Sequence, residues 1–233
     1  MLKYIWIFLQ SIGGKDMIYL YLAIFAVSSI VHLYASYKSN KKLRAQTKPF
    51  ILLGLLGWYC CAASPVQTIV IAALLTSWLG DVLLIPKGVK WFTIGGVSFL
   101  ASHLCFVFAY LPNVSFDLIP TWALIAAAVA YFAAACLVFK GLRDSLPKML
   151  FVPMFIYLLV NGTMNCFALY QLISLPCTAT AVTFAGAMLF FASDSALFYT
   201  RFKKDSIFKN HFFVMLTYIL AEFLIVWGLI LIH

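Results

Sequence analysis

The chain contains few charged residues. Only 10% of its 233 residues are Asp, Glu, Lys or Arg, and only seven are acidic, whereas about 25% of the residues in an average soluble domain are charged. Hydrophobic residues make up 65% of the sequence, and the mean hydropathy is +1.03. A soluble core cannot bury that much apolar surface, so a soluble globular fold is excluded and the lipid bilayer is the expected solvent.

Several motifs that carry chemistry are also absent. The six cysteines form neither a CxxC pair nor a disulfide framework, and most lie in apolar runs, where we expect them to pack as small hydrophobic residues. No HExxH or comparable spacing of histidines predicts a metal site. No GxSxG motif predicts a serine nucleophile, and no glycine-rich phosphate loop is present. A zinc site is therefore not expected.

Eight apolar runs, most of them long enough to cross a hydrocarbon layer of about 30 Å as a helix, predict an all-α polytopic membrane protein with eight transmembrane helices. The single transmembrane domain covers residues 1–233. Residues 1–16 are expected to form an interfacial segment or to lengthen the first span, and no cleavable signal peptide is expected. The predicted bundle, 17–232, has spans at about 17–37, 49–64, 66–86, 91–111, 119–139, 147–170, 176–200 and 211–232.

Basic residues are concentrated in alternate loops. Loops 38–48, 87–90, 140–148 and 201–209 contain five, two, three and four Lys or Arg, which is 14 of the 16 in the chain. Because cytoplasmic loops carry the excess of positive charge, both termini are predicted to face away from the cytoplasm. This distribution accounts for the net charge of +9 without nucleic acid, which is not an expected partner. The small size favours a bacterial inner membrane.

Three acidic residues interrupt apolar helices: Asp81, Asp194 and Glu222. A charge at the centre of a bilayer costs about 2.5–3.5 kcal/mol or more, so such residues face protein or water and are candidates for function. Asp81 and Asp194 each lie one to two turns before a basic loop, on spans four apart. This echo is compatible with a parallel 4+4 repeat and equally with chance.

If the third and seventh helices are neighbours, Asp81 and Asp194 lie at one level. Two carboxyl groups in a low-dielectric cleft repel, so one holds a proton while the other stays ionised, and together they supply a general acid and a general base. The alternative is structural: each Asp bonds a helix end or a buried lysine such as Lys48. Spacing alone leaves both interpretations open.

Other polar side chains lie within the apolar helices. His103, in the fourth span, is expected either to relay protons or to form a hydrogen bond between helices. Tyr157, Asn161 and Asn165 are spaced i, i+4, i+8 on the sixth helix and form one polar stripe. That stripe is either a contact between helices or the wall of a cavity for a polar substrate.

Several motifs, in this order along the chain, resemble those of the YhhN-like lysoplasmalogenase family. The resemblance runs from about residue 45 to the C-terminus. Its motifs are TKP at 47–49, LGDVLL at 79–84, GGVSFLASH at 95–103, the helix with Tyr157, GAMLFFASDSAL at 186–197 and YILAEFLI at 218–225.

The resemblance implies an eight-helix membrane enzyme that hydrolyses the vinyl ether bond of lysoplasmalogens, yielding a fatty aldehyde and a glycerophospho-headgroup. The GD and SD aspartates of the family correspond to Asp81 and Asp194, which are expected to act as acid and base without a metal or redox cofactor. Glu222 departs from the family, which usually has Gln there, and this departure would alter the ionisation of the pair or mark a different substrate. The residues expected to contact the lysophospholipid are Lys48, His103, Tyr157, Asn161, Asn165, Ser193 and Glu222.

Two other functions compete with hydrolysis. Membrane carboxylates and parallel repeats are equally typical of a proton-coupled transporter of a small or amphiphilic substrate. A lipid-binding or structural membrane protein would use its aspartates for stability alone.

Overall fold

The computed structural model describes residues 14–203 and 211–232. Within these ranges the chain is all-α and contains no strand, so the all-α part of the predicted fold class is confirmed. Each predicted span corresponds to one helix, whereas the predicted interfacial segment at 1–16 lies almost entirely outside the described residues. The helices are α1 (Gly14–Tyr37), α2 (Lys41–Ala62), α3 (Thr68–Leu83), α4 (Val89–Tyr110), α5 (Thr121–Leu142), α6 (Phe151–Ser174), α7 (Thr178–Phe202) and α8 (His211–Leu231).

Six of these helices are long and apolar enough to span a bilayer, namely α1 and α4 to α8. The chain is therefore a multi-pass membrane protein. Helices α2 and α3 do not meet both criteria. Helix α2 begins with a lysine-rich turn, and α3 has only 16 residues. Eight crossings, as distinct from eight helices, therefore stay a prediction.

Short polar turns end the helices and reverse the chain. Ser39 has a φ of 55°, and the side chain of Asn40 accepts a hydrogen bond of 3.1 Å from the backbone N–H of Leu43, which caps the start of α2. Gly88, with a φ of 121°, precedes α4. Such short connections make consecutive helices antiparallel neighbours.

The closest packing occurs within the hairpins α1–α2, α3–α4, α5–α6 and α7–α8. Helix α4 also packs against α6, and α8 packs against α1 and α2. The most apolar stretches of α1 and α5 are only 17% buried, compared with 50–56% for α4, α6, α7 and α8. Helices α1 and α5 are therefore peripheral, and the remaining helices enclose the interior.

Glycines allow α7 and α8 to approach backbone to backbone. A Cβ atom at Gly186 would lie 2.8 Å from the Ile225 nitrogen and 2.9 Å from the Ala221 oxygen. Close approach over small residues is a common way to join helices in a membrane, where apolar burial does not drive their association. It brings Asp194, two turns after Gly186, beside α8.

Candidate active site

A polar cavity of about 110 Å³ contains both interior aspartates, Asp81 and Asp194. It reaches the helix ends beside the basic loops, where Arg201 and His211 line it. Helix α3 packs chiefly against α4, and α7 against α8. The two aspartates therefore lie on different helix pairs and line the same cavity. Each carboxyl group has its own set of partners.

Asp81 forms an ion pair. Its Oδ1 atom lies 3.0 Å from the Lys48 ammonium nitrogen, and its Oδ2 atom accepts a 2.9 Å hydrogen bond from the Tyr218 hydroxyl. The side chain of Asp81 is 2% exposed and that of Lys48 is 15% exposed. The predicted bond to a buried lysine is thus present, and the same carboxyl group also lines the cavity.

The sequence around Asp81 holds it in this position. The indole N–H of Trp78, three residues earlier, donates a 3.0 Å hydrogen bond to the backbone oxygen of Pro49. This bond joins α3 to α2 directly beside Lys48. Gly80 leaves room for the ring of Phe99, because a Cβ atom there would lie 2.6 Å from that ring. In the GD pair, Gly80 thus allows α4 to pack closely, and Asp81 supplies the carboxyl group.

Asp194 is held by neutral donors. Its Oδ2 atom accepts hydrogen bonds from the Tyr157 hydroxyl at 2.5 Å and from the Asn161 amide at 2.8 Å. Both donors come from the predicted polar stripe of α6. In the described part of the chain no hydrogen bond reaches Oδ1, and no lysine or arginine pairs with Asp194.

Three further predicted site residues lie near Asp194 without bonding it. His103 is fully buried, and its Nε2 atom is 3.6 Å from Oδ2 of Asp194, beyond hydrogen-bond distance. Asn165 donates to the backbone and side-chain oxygens of Asn161, at 3.0 and 3.1 Å, so it positions that residue. Ser193 lines the cavity, but its hydroxyl donates to the Val214 oxygen at 3.0 Å.

Glu222 lies outside the lining of the cavity. It is fully buried. The hydroxyls of Ser77 and Tyr218 face its carboxyl group, yet neither carboxyl oxygen makes a hydrogen bond of ordinary geometry with the described residues. Glu222 is therefore not part of the wall of this cavity, although Tyr218, which faces it, is.

The mouth of the cavity is cationic. The cationic side chains are those of Arg44, Lys48 and Arg201, and the imidazole of His211 lies among them; all four also line an adjoining cavity of about 210 Å³. In the described ranges, no acidic residue lines that adjoining cavity. Arginine and lysine side chains converging on one space form a suitable site for a phosphate group.

The structure brings Lys48 to Asp81, and Tyr157 and Asn161 to Asp194. Of the predicted site residues, those that line the polar cavity itself are Lys48, Asp81, Ser193 and Asp194. Sequence reasoning missed Tyr218, Arg44, Arg201 and His211. One signal for Tyr218 was available: it lies four residues before Glu222 and therefore on the same face of α8. In the sequence, Arg44 and Arg201 serve only as loop residues that indicate topology, and no local pattern connects His211 with the aspartates.

Comparison with known proteins gives a family match over most of the chain. The model of the YhhN family matches residues 43–229. Two curated relatives named lysoplasmalogenase, from Mycobacterium bovis and Mycobacterium tuberculosis, are each 37% identical over 134 residues. The alignment covers 57% of this chain and 49% of each relative, so the chain spans about half the length of the curated relatives it matches. No solved structure matches the chain.

Proposed function

The chain belongs to the YhhN family, and from this premise we propose that it hydrolyses the vinyl ether bond of a lysoplasmalogen. The products are a fatty aldehyde and a glycerophospho-headgroup. One observation carries the proposal: the two aspartates share a cavity but have different partners, a cation for Asp81 and neutral donors for Asp194. Acid and base catalysis requires such a pair of carboxyl groups in unlike environments.

The partners favour a division of roles. Lys48 stabilises the ionised form of Asp81, which therefore acts as the carboxylate. Asp194 acts as the acid. Tyr157 and Asn161 both donate to Oδ2, so the acid proton is carried by Oδ1.

The proposed reaction needs only these groups and one water. Asp194 transfers its proton to the β-carbon of the vinyl ether, and the α-carbon becomes an oxocarbenium ion that the carboxylate of Asp81 stabilises. Water adds to the α-carbon and returns a proton to Asp194, forming a hemiacetal. The carbon–oxygen bond to glycerol then breaks, and the hemiacetal hydroxyl proton passes to the departing glycerol oxygen. One water is consumed and the enzyme is restored.

The cationic mouth supports a phosphate-containing substrate. Arg44 and Arg201 line both this cavity and the adjoining one, whereas the two aspartates line only the first. This arrangement suits a phosphate bound at the side of the cavity that adjoins the basic loops. Arginine binds phosphate through two parallel hydrogen bonds. A lysophospholipid would thus place its headgroup at the mouth and its ether bond beside the aspartates.

The helix contacts support a parallel 4+4 repeat. Asp81 on α3 is bonded from α2 by Lys48 and from α8 by Tyr218. Asp194 on α7 is bonded from α6 by Asn161 and approached from α4 by His103. Interchanging the two halves, α1–α4 and α5–α8, replaces α3 by α7, α2 by α6 and α8 by α4. The set of helices around Asp81 then becomes the set around Asp194. Such a repeat would give the two aspartates equivalent positions.

The repeat also supports the proposed topology. All eight helices would cross the membrane, with the termini on the non-cytoplasmic side of a bacterial inner membrane. The basic loops, and hence the mouth of the cavity, would then face the cytoplasm.

The decisive experiment is mass spectrometry of the products that purified protein forms from a lysoplasmalogen and from an ester lysophospholipid. We expect aldehyde from the vinyl ether lipid alone. Asp81→Asn and Asp194→Asn should each lower turnover by about 10²–10⁴-fold, while Asp144→Asn, on an exposed turn, should retain it. Absence of aldehyde with the unaltered protein refutes the proposal. Uptake into sealed vesicles driven by a proton gradient would then indicate transport.

A further inference from the structure

A second, apolar cavity lies beside the proposed reaction site. This tail groove, of about 290 Å³, runs between α4 and α6 and is bounded by the end of α7. Val97 and Leu100 line it from α4, Met154 and Ile156 from α6, and Phe198 from α7. Hydrocarbon side chains form most of its wall, so it suits an apolar ligand.

A small third cavity lies between the tail groove and the reaction site. It has a volume of about 20 Å³ and shares Phe92, Gly96, Tyr157 and Phe198 with the groove. It also shares Asp194 with the polar cavity. Tyr157 marks the junction, since its side chain lines the groove while its hydroxyl donates to Asp194.

Gly96 leaves this junction open. A Cβ atom at position 96 would have no heavy atom within 4 Å, so the space beside this glycine is empty. The neighbouring Gly95 differs, because a Cβ atom there would lie 3.1 Å from the Leu84 side chain. Gly96 therefore leaves space at the junction that a larger residue would fill.

The groove also opens sideways. Val97 is 61% exposed and Ile156 is 47% exposed, and both lie on helices apolar enough to span a membrane. The surface around them is therefore surrounded by lipid chains. A single-chain amphiphile could enter from the bilayer between α4 and α6 without passing through water.

The order of the cationic mouth, the carboxyl groups and the tail groove favours one kind of ligand. Cationic side chains line the mouth, the carboxyl groups follow, and the apolar groove leads away from Asp194. An anionic headgroup, an ether linkage and a hydrocarbon chain follow one another in the same order in a lysophospholipid. A second protein helix would match the groove but would leave the cationic mouth unused.

We propose that the tail groove binds the hydrocarbon chain of the substrate, which enters laterally from the bilayer, and that Leu100 sets the preferred chain length. Among the α4 residues that line the groove, Leu100 lies furthest from the basic loops. It is about 6 Å beyond Gly96 along the helix axis, at 1.5 Å per residue. This inference rests on the proposed function, because the chain is that of the lysophospholipid substrate.

The test compares two leucine variants over a series of vinyl ether lysophospholipids with 8 to about 18 carbons in the chain. Because the chain moves from one apolar environment to another, burial alone should give little preference for length, and the shape of the groove should set it. Leu100→Trp fills the groove and should lower kcat/KM at least about tenfold for the longest chains and less than about twofold for the shortest. Leu159→Trp is the matched control, because Leu159 is also partly buried but lines a separate apolar cavity between α5 and α6.

Ratios of variant to unaltered protein are compared at each chain length, so differences in lipid partitioning cancel. An equal loss at every chain length, or the same change in Leu159→Trp, overturns the tail groove while leaving hydrolysis intact. If Leu100→Trp does not fold, Val97→Trp replaces it. Its control is Val129→Trp, since these valines are 61% and 59% exposed and line different cavities.

A second measurement distinguishes failure of the groove from failure of the proposed function. A saturated 1-O-alkyl lysophospholipid has no vinyl ether to hydrolyse, and a diazirine at the end of its chain reports where that chain lies. Photo-crosslinking should label α4 or α6 within the groove, and excess unlabelled lipid should compete. Labelling without turnover of the vinyl ether lipid refutes the hydrolase but keeps the groove. Turnover with labelling elsewhere refutes the groove.

Discussion

Replacing Lys48 by Met tests whether the ion pair with Asp81 holds the site together. The substitution keeps the aliphatic length of the side chain but removes the ammonium group that lies 3.0 Å from Asp81. Asp81 then retains one partner, the Tyr218 hydroxyl. Its carboxyl group stays buried, because its burial depends on the packing of α3 against α4.

The size of the effect follows from the burial of the pair. Removing one partner of a buried ion pair costs about 3–5 kcal/mol. Lys48 is 15% exposed, so water already screens part of the attraction. The loss of stability also has an upper limit, because the unpaired Asp81 can take up a proton instead of staying charged. Protonating an ordinary aspartate at pH 7 costs about 4 kcal/mol. We therefore expect a loss of about 2–4 kcal/mol of stability, or roughly 5–15 °C in Tm.

Thermal unfolding of the detergent-solubilised protein, followed by tryptophan fluorescence, measures this loss. The double variant Lys48→Met with Asp81→Asn removes both charges and should be more stable than Lys48→Met alone. The coupling between the two positions should be about 1–3 kcal/mol. If the two single effects simply add, the ion pair contributes no coupling and the assignment of Asp81 as the fixed carboxylate loses its support.

Three other substitutions give separate tests. Arg44→Gln should lower kcat/KM about tenfold, mainly by raising KM, because it removes the proposed contact with the substrate phosphate. Lys140→Gln, on an exposed helix end, should leave kcat/KM unchanged, and equal effects of the two substitutions would argue against headgroup binding at the mouth. Glu222→Gln should change turnover by less than about threefold relative to the unaltered protein, because Glu222 does not line the cavity. A loss of about a hundredfold would show that Glu222 takes part in catalysis. Gly186→Ala should destabilise the protein by about 1–3 kcal/mol, since its Cβ atom would collide with the α8 backbone; Gly96→Ala, with open space, is the control in the same unfolding assay.

Local features of the chain were sufficient to predict much of the fold. A run of about 20 apolar residues forms a helix in a bilayer whatever surrounds it, because its backbone polar groups must bond within the segment. The eight runs accordingly correspond to α1 to α8. The second run was predicted to begin at residue 49, whereas α2 begins at Lys41. The basic turn before residue 49, which its low hydropathy left out of the predicted span, is part of the helix and carries Arg44 and Lys48.

Part of the candidate site could be predicted in the same way. The energetic cost of a charge in the membrane singled out Asp81 and Asp194, and helical periodicity placed Tyr157 and Asn161 on one face. The structure places all four in or beside one cavity. Each of these inferences depended on residues within a single helix, where spacing determines which side chains are neighbours.

Tertiary packing decided what lies between helices. The rotation of each helix about its axis determines which side chains face one another, and no local pattern specifies that rotation. The pairing of Lys48 with Asp81, the hydrogen bond from Tyr218, and the isolation of Glu222 depend on it. So does the groove beside Gly96, since empty space arises only from the combined shapes of three helices. Sequence alone thus determined which residues are costly to bury, and only the packed structure decided which partners stabilise them.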